Sequence, residues 1–158
     1  MSAKQSFDDY DDLFLSIEDD IQASLEQNVA PVIEKKLQES AEETAAGWSS
    51  RAYMGIADEA NIMSDVYPEA DGSFTLITKD TATPQPSVFG YGEEFDESQN
   101  VDGTKFSEWI DEGEWMDLKS YLQTGEKAKR SPRPFVSNVQ KELDDNPSII
   151  EDALFKGL

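Results

Sequence analysis

The sequence predicts an α+β fold: a long N-terminal helix and a C-terminal helix packed on a small antiparallel β-sheet, with an extended loop. Three observations indicate this fold. Apolar residues recur at helical spacing over residues 7–48, a hairpin signal stands at Asp71-Gly72, and helical spacing resumes at Phe135. The length of 158 residues suits a single domain over residues 1–158.

The first predicted element is an amphipathic helix. Pro31 lies within it, and because proline lacks an N–H donor and clashes with the preceding turn, we expect a kink or break near residues 28–30. Residues 1–28 therefore have a second interpretation, as an extended helical arm that contacts another protein. The apolar stripe of the helix consists of Phe14, Ile17, Ile21, Leu25, Val29, Val32, Ile33, Leu37, Ala41 and Ala45.

A β-hairpin is predicted next. Asp71-Gly72 separates two runs of strand-forming residues, which is a strong short-range signal for a hairpin turn. Strand alternation then predicts two faces. One face carries Phe74, Leu76 and Thr78, and the other carries Thr75 and Ile77.

Residues 80–104 have little periodicity and many turn-forming residues. A loop of this length in a small domain is usually functional or disordered. Aromatic side chains, Phe89 and Tyr91 among them, are uncommon in disordered segments. We therefore expect a docking loop that packs on its own domain or on a neighbouring subunit.

The C-terminal part begins with a predicted strand over residues 106–111, a turn at Gly113 and a helix over about residues 116–123. Helical spacing resumes over residues 135–143. Asn146-Pro147 then predicts the start of a last helix, with asparagine as the cap and proline at the first helical position.

Composition excludes several kinds of site. The chain has neither Cys nor His, so it has no disulfide, thiolate metal site or serine–histidine triad. A calcium loop beginning at Asp96 would need Gly and Glu where the sequence has Val101 and Ser107. Carboxylate pairs are numerous, and among them Asp111-Glu112, which follows Trp109-Ile110, is the candidate for a buried acid. We expect no enzyme activity and no cofactor.

The net charge is −21, which opposes binding along a nucleic-acid backbone. The N-terminus lacks a basic and apolar signal sequence, and no segment approaches the ~20 apolar residues of a membrane span. We expect an intracellular, soluble protein without a membrane partner.

One segment departs from this acidity. The stretch GEKAKRSPRPF, residues 125–135, carries four basic residues and one acidic residue. Outside residues 119–133 the chain carries −25, because this segment holds five basic residues and one acidic residue. Such a division suits contacts between identical subunits in which opposite charges meet. A solvated loop and a nucleic-acid patch are the alternatives.

The expected contact between subunits has two sides. The basic side is Lys127, Lys129, Arg130 and Arg133. The acidic side lies on the N-terminal helix, and the docking loop adds aromatic anchors. These residues are Asp19, Asp20 and Glu26, with Phe89 and Tyr91.

The segment FSEWIDEGEWMDLKSYLQTGEKAKRSPRPFVSNVQKELDDNPSIIEDALFKGL, residues 106–158, resembles the end of the head–tail joining proteins of tailed bacteriophages, which are also called neck, tail-component or tail-completion proteins. Their layout is a long helix over a small sheet, a strand ending in an acidic-Gly pair, a PRPF-like motif and a final helix. The matching strand end is Trp109, Ile110, Glu112 and Gly113, and the matching motif is Pro132, Arg133, Pro134 and Phe135.

The resemblance implies a structural virion protein. Related proteins form rings of six or twelve subunits at the head–tail junction, around a channel through which DNA passes. It therefore implies a homo-oligomer that meets connector or head-completion proteins and tail proteins, and that is assembled in the host bacterial cytoplasm. An acidic channel lining would let DNA slide without binding.

Two other functions fit the composition. The first is an acidic DNA mimic or regulatory protein that occupies a basic site on a host protein, although the basic segment breaks the uniform negative surface that a mimic needs. The second is an enzyme that uses carboxylates and a metal, for which the sequence indicates no substrate.

Overall fold

The computed structural model describes residues 10–46, 55–82, 103–115, 128–129, 132–156 and 158. The α-helices are α1 (Tyr10–Ser24), α2 (Ala30–Ala46), α3 (Gly103–Glu112), α4 (Phe135–Asp145) and α5 (Ser148–Lys156). The strands are β1 (Ile62–Pro68), β2 (Phe74–Asp80), β3 (Glu114–Trp115) and β4 (Ala128–Lys129). Each pair of strands forms its own two-stranded antiparallel sheet. The predicted α+β class, with its long N-terminal helix, small sheet and C-terminal helices, is confirmed.

α1 and α2 are joined by a π-helical turn, Leu25–Val29, rather than by a loop. The backbone N–H of Ala30 donates to the carbonyl oxygen of Leu25, five residues earlier. Pro31 follows at once, so the turn widens just before the residue that has no N–H to donate. The predicted irregularity is therefore a π-helical turn, and the helix continues through Pro31 to Ala46.

The hairpin of β1 and β2 forms as predicted. Its register runs from Ile62 opposite Asp80 to Pro68 opposite Phe74. Gly72 adopts φ 83° in the connecting loop, and its N–H donates to Glu69 O at 3.1 Å. A positive φ favours glycine at this position. Thr75 and Ile77 lie on one face, as predicted, and this face is exposed, while the other face is half-buried toward the helices.

The main core lies between α2, α4, α3 and the start of the hairpin. Phe135 is its largest fully buried side chain, at 1% exposure. The hydroxyl of Ser40 in α2 donates to Phe135 O at 2.8 Å, which ties the first residue of α4 to α2. The buried cluster consists of Leu37, Ala41, Ile56, Ile62, Ala82, Ile110, Phe135 and Val139.

The strand predicted over residues 106–111 is wrong, because this segment belongs to helix α3. Two of its positions, Ser107 and Ile110, are buried three residues apart, while Glu108 and Glu112 are exposed four residues apart. That is a helical pattern. The predicted turn at Gly113 is confirmed, since this glycine has φ 79°.

The C-terminal helices are present, with one correction at their junction. α5 begins at Ser148, one residue after Pro147. The Asn146 side chain donates to Glu142 O at 2.9 Å, so it closes the end of α4 instead of capping α5. The helix predicted at residues 116–123 lies outside the described residues.

The predicted N-terminal arm packs on the body at its C-terminal end. The Ser24 hydroxyl is buried and donates to Leu154 O in α5 at 2.6 Å. The arm's first nine residues lie outside the described part of the chain. No described helix is both long enough and apolar enough to cross a membrane.

Candidate subunit interface and acidic cleft

The PRPF segment joins three helices. The backbone N–H of Arg133 donates to Ile110 O near the end of α3 at 3.0 Å. Its guanidinium Nη1 donates to Thr44 O near the end of α2 at 3.2 Å. A cation suits the C-terminal end of a helix, where carbonyl groups lack helical partners. Phe135 then enters the core.

Asp111 of α3 caps the N-terminus of α4. Pro134 stands at the N-cap position and supplies no side-chain hydrogen bond. Instead, Asp111 Oδ1 accepts from the Val136 N–H at 2.8 Å, and Oδ2 accepts from the Ser137 N–H at 3.0 Å. The Ser137 hydroxyl also donates to Oδ2. The cap thus comes from another helix, and its negative charge suits a helix N-terminus.

A cleft of about 300 Å³ lies beside this cap, between the end of the hairpin, α3 and the start of α4. We refer to it as the acidic cleft, because four carboxylate residues and one lysine stand among its described lining residues. Its lining residues are Thr78, Lys79, Asp80, Ser107, Glu108, Asp111, Glu112, Val136 and Ser137.

Asp80 is the buried acid of the acidic cleft, with a side chain that is 2% exposed. Its Oδ1 accepts from the Ala82 N–H at 2.8 Å. Its Oδ2 is buried and has no hydrogen-bond partner in the described part of the chain. Burial raises the pKa of Asp80 to about 7, and the bond from Ala82 offsets only part of that effect.

The structure identifies intrachain roles for two other charged residues of the acidic cleft. Lys79 Nζ pairs with Asp65 Oδ2 at 3.2 Å. Asp111 caps α4, as described above. Within the described residues, no group of three or more acidic side chains lies close enough to hold a metal ion.

The predicted interface acids Asp19, Asp20 and Glu26 are all exposed. Glu26 accepts a hydrogen bond from Gln22 at 2.9 Å, one helical turn earlier. Lys129 lies in β4 opposite Glu114, and its side chain is outside the described part.

The remaining predicted interface residues fall into two groups. Arg133 is half-buried and bonds within its own chain to Thr44. The others lie outside the described residues; they are Lys127, Arg130, Phe89 and Tyr91. Most of the predicted docking loop, residues 83–102, lies outside them too.

The residues matched to the family's strand end form a different secondary structure from the one expected. Trp109, Ile110 and Glu112 belong to helix α3, so the acidic-Gly pair ends a helix rather than a strand. Trp109 is half-buried against the core and Ile110 is within it. Glu112 is exposed and lines the acidic cleft.

Two apolar surfaces are exposed on separate elements. α1 carries Tyr10, Phe14 and Ile17 at spacings of four and three residues, with exposures of 81%, 61% and 44%. We call these three residues the α1 stripe. The outer face of the hairpin exposes Met63, Tyr67 and Ile77.

Sequence reasoning missed Asp80, although a signal was present. In β2 the inward face carries Phe74, Leu76 and Thr78, and the next residue in that alternation is Asp80. Extending the alternation by one step would have placed a carboxylate against the core.

Comparison with protein-family models, with curated proteins and with solved structures finds no match to this chain.

Proposed function

We propose that this chain is a structural subunit of a tailed-bacteriophage virion. In this proposal it is a neck or tail-completion protein that forms a ring at the head–tail junction. The ring would contain six or twelve copies around the DNA channel and would meet connector and tail proteins. The proposal includes no catalytic step and no cofactor.

The observation that carries the proposal is the pair of exposed apolar surfaces, the α1 stripe and the outer face of the hairpin. Groups of exposed large apolar side chains are common at sites that bind another protein. A head-to-tail contact in a ring joins two different surfaces of the same subunit, so a ring-forming chain needs two.

Charge supports the same proposal. The basic residues of segment 119–133 can meet acids of the next copy, which would set the orientation of each contact. Arg133 already bonds to Thr44 in its own chain, so we assign this contact to Lys127, Lys129 and Arg130. The acidic remainder of the surface suits a channel that DNA crosses without binding.

The PRPF segment supports the link to phage joining proteins. It serves as a junction among α2, α3 and α4, which is a structural reason for keeping two prolines, an arginine and a phenylalanine together. The resemblance over residues 106–158 is what points to the head–tail junction rather than to another assembly.

One observation favours a second candidate, an acidic DNA mimic or regulatory protein. Asp19, Asp20 and Glu26 lie exposed along one helical region of a chain with charge −21. Duplex DNA would compete with a mimic for its protein target, whereas it would not displace a neck subunit from its ring.

Electron microscopy tests the proposal. The purified chain is imaged by negative stain, and particles of the phage that encodes it are labelled with gold-conjugated antibody fragments. The proposal predicts closed rings and gold at the head–tail junction. Gold absent from the particles, together with DNA-competed binding to a host protein, would favour the mimic instead.

A further inference from the structure

The acidic cleft holds a carboxylate oxygen that the described chain leaves unsatisfied. Asp80 is almost fully buried, and its Oδ2 has no hydrogen-bond partner in the described part of the chain. Buried polar atoms are nearly always paired, because an unpaired one loses its hydration without compensation. Such exceptions are often found at functional sites, where a ligand can supply the missing partner.

The surroundings of Asp80 favour a positively charged ligand. Glu108 and Glu112 lie one helical turn apart on α3, and both line the acidic cleft. Lys79 is the single basic residue among its described lining residues, and it pairs with Asp65. Among the described lining residues, acidic side chains therefore outnumber basic ones beside an unsatisfied acceptor.

The geometry favours an organic cation over a metal ion. A metal requires several oxygen ligands converging on one point, and the described residues contain no such group of three acids. Both oxygens of Asp111 are already used in capping α4. An ammonium or guanidinium group on a long side chain can instead donate separately to carboxylates that do not converge.

We propose that the acidic cleft receives the side chain of Lys127, Lys129 or Arg130 from a second copy of this chain, with Asp80 and Glu112 as acceptors. Charge complementarity identifies this occupant, since segment 119–133 holds five basic residues while the rest of the chain carries −25. The inference rests on the proposed function and moves the acceptors of the basic segment from α1 to the acidic cleft.

A charge-matched pair of variants tests the acidic cleft. Asp80→Asn with Glu112→Gln removes two carboxylates from it, and asparagine keeps an oxygen that can accept from the Ala82 N–H. Asp145→Asn with Asp152→Asn removes two exposed carboxylates from α4 and α5. Sedimentation equilibrium of each full-length protein gives the self-association constant, and thermal unfolding verifies that each variant folds.

The cleft variant is expected to associate at least ten-fold more weakly than the wild type, while the control variant associates as the wild type does. A cleft variant that folds and associates normally would overturn the inference and leave the ring proposal standing. Weakening by Asp19→Asn with Asp20→Asn instead would also overturn it. A wild type that never associates would overturn both proposals.

A mixing experiment tests whether the basic segment of one copy contacts the acidic cleft of another. Lys127→Glu with Arg130→Glu removes the basic side but keeps the acidic cleft. This variant and the cleft variant should each associate weakly alone, yet form a heterodimer when mixed, because one supplies an intact acidic cleft and the other an intact basic segment. Absence of the heterodimer, with wild-type assembly intact, would contradict a contact between these two surfaces.

Discussion

The carboxylate of Asp111 accepts a hydrogen bond from the backbone N–H of Val136 at 2.8 Å, although the two residues are 25 positions apart. This bond closes the N-terminus of α4 from the end of α3. Because the cap belongs to a different helix, it stabilises the contact between α3 and α4 as well as α4 itself.

Replacement of Asp111 by alanine should lower the free energy of unfolding by about 1–2 kcal/mol, the usual cost of losing an N-terminal cap. The effect arises because the N–H groups of Val136 and Ser137 lose their acceptor. Urea denaturation measures it. Asp145→Ala, at an exposed position at the other end of α4, serves as the control, and an equal loss in both variants would contradict the cap.

Replacement of Phe135 by alanine should lower the free energy of unfolding by about 3–5 kcal/mol, since it leaves a cavity in the core. Phe155→Ala is a matched control, because that side chain is 68% exposed, and it should change the value by less than about 0.5 kcal/mol. Chemical denaturation of both variants measures the difference. A loss for Phe135→Ala as small as that expected for Phe155→Ala would place Phe135 outside the structural core.

Asp80 should make stability depend on pH. Its pKa is raised from 3.8 to about 7 in the folded chain, so folding favours its protonated form. The contribution is therefore fully present below pH 4 and is lost as the pH rises to about 7. Over that window it amounts to roughly 2–4 kcal/mol.

The comparison of wild type with Asp80→Asn isolates this effect from the large net charge of the chain. The variant cannot ionise, so it should be more stable than the wild type at pH 8 and should lose that advantage at pH 4. Thermal unfolding across this range measures the difference. A difference that stays constant with pH would show that Asp80 is not a desolvated carboxyl group.

The α1 stripe should matter for association and not for folding. Phe14→Ser with Ile17→Ser removes exposed apolar surface, so the free energy of unfolding should change by less than about 0.5 kcal/mol. Self-association should weaken, because that surface would be buried between subunits.

Sedimentation velocity measures this weakening. Lys35→Ser with Glu39→Ser, an exposed pair on α2, controls for a general effect of altering helix surfaces. If the stripe variant loses stability but associates normally, the α1 stripe packs within the chain instead.

The hairpin illustrates what the sequence can predict. Asp71-Gly72 and the alternation in β2 are local signals, and the observed turn and faces follow from them. The burial of Phe135 was predictable for a similar reason. Two prolines prevent a helix before it, and apolar residues at helical spacing follow it.

α3 shows where local signals fail. Trp109 and Ile110 are strand-forming residues, and a run of six residues is too short for its period to decide between strand and helix. The tertiary contacts decided it: burial of Ser107 and Ile110 three positions apart fits only the helix.

The acidic cleft depends on contacts that no local pattern contains. The sequence singled out Asp111-Glu112 as acids that follow apolar residues. Asp111 is half-buried and caps α4, whereas Glu112 is exposed. The sequence could not show that Asp111 would reach Val136, nor that Asp80 would lack a partner for Oδ2, since both facts require the packing of α3 against the hairpin and α4.

The copy number of this chain in purified phage particles tests the central proposal most directly. Quantitative mass spectrometry with isotope-labelled peptides would measure it relative to the portal protein of the same particles. The proposed ring predicts six or twelve copies per particle, retained after the particles are washed in high salt. Particles that contain none of this chain would contradict the account.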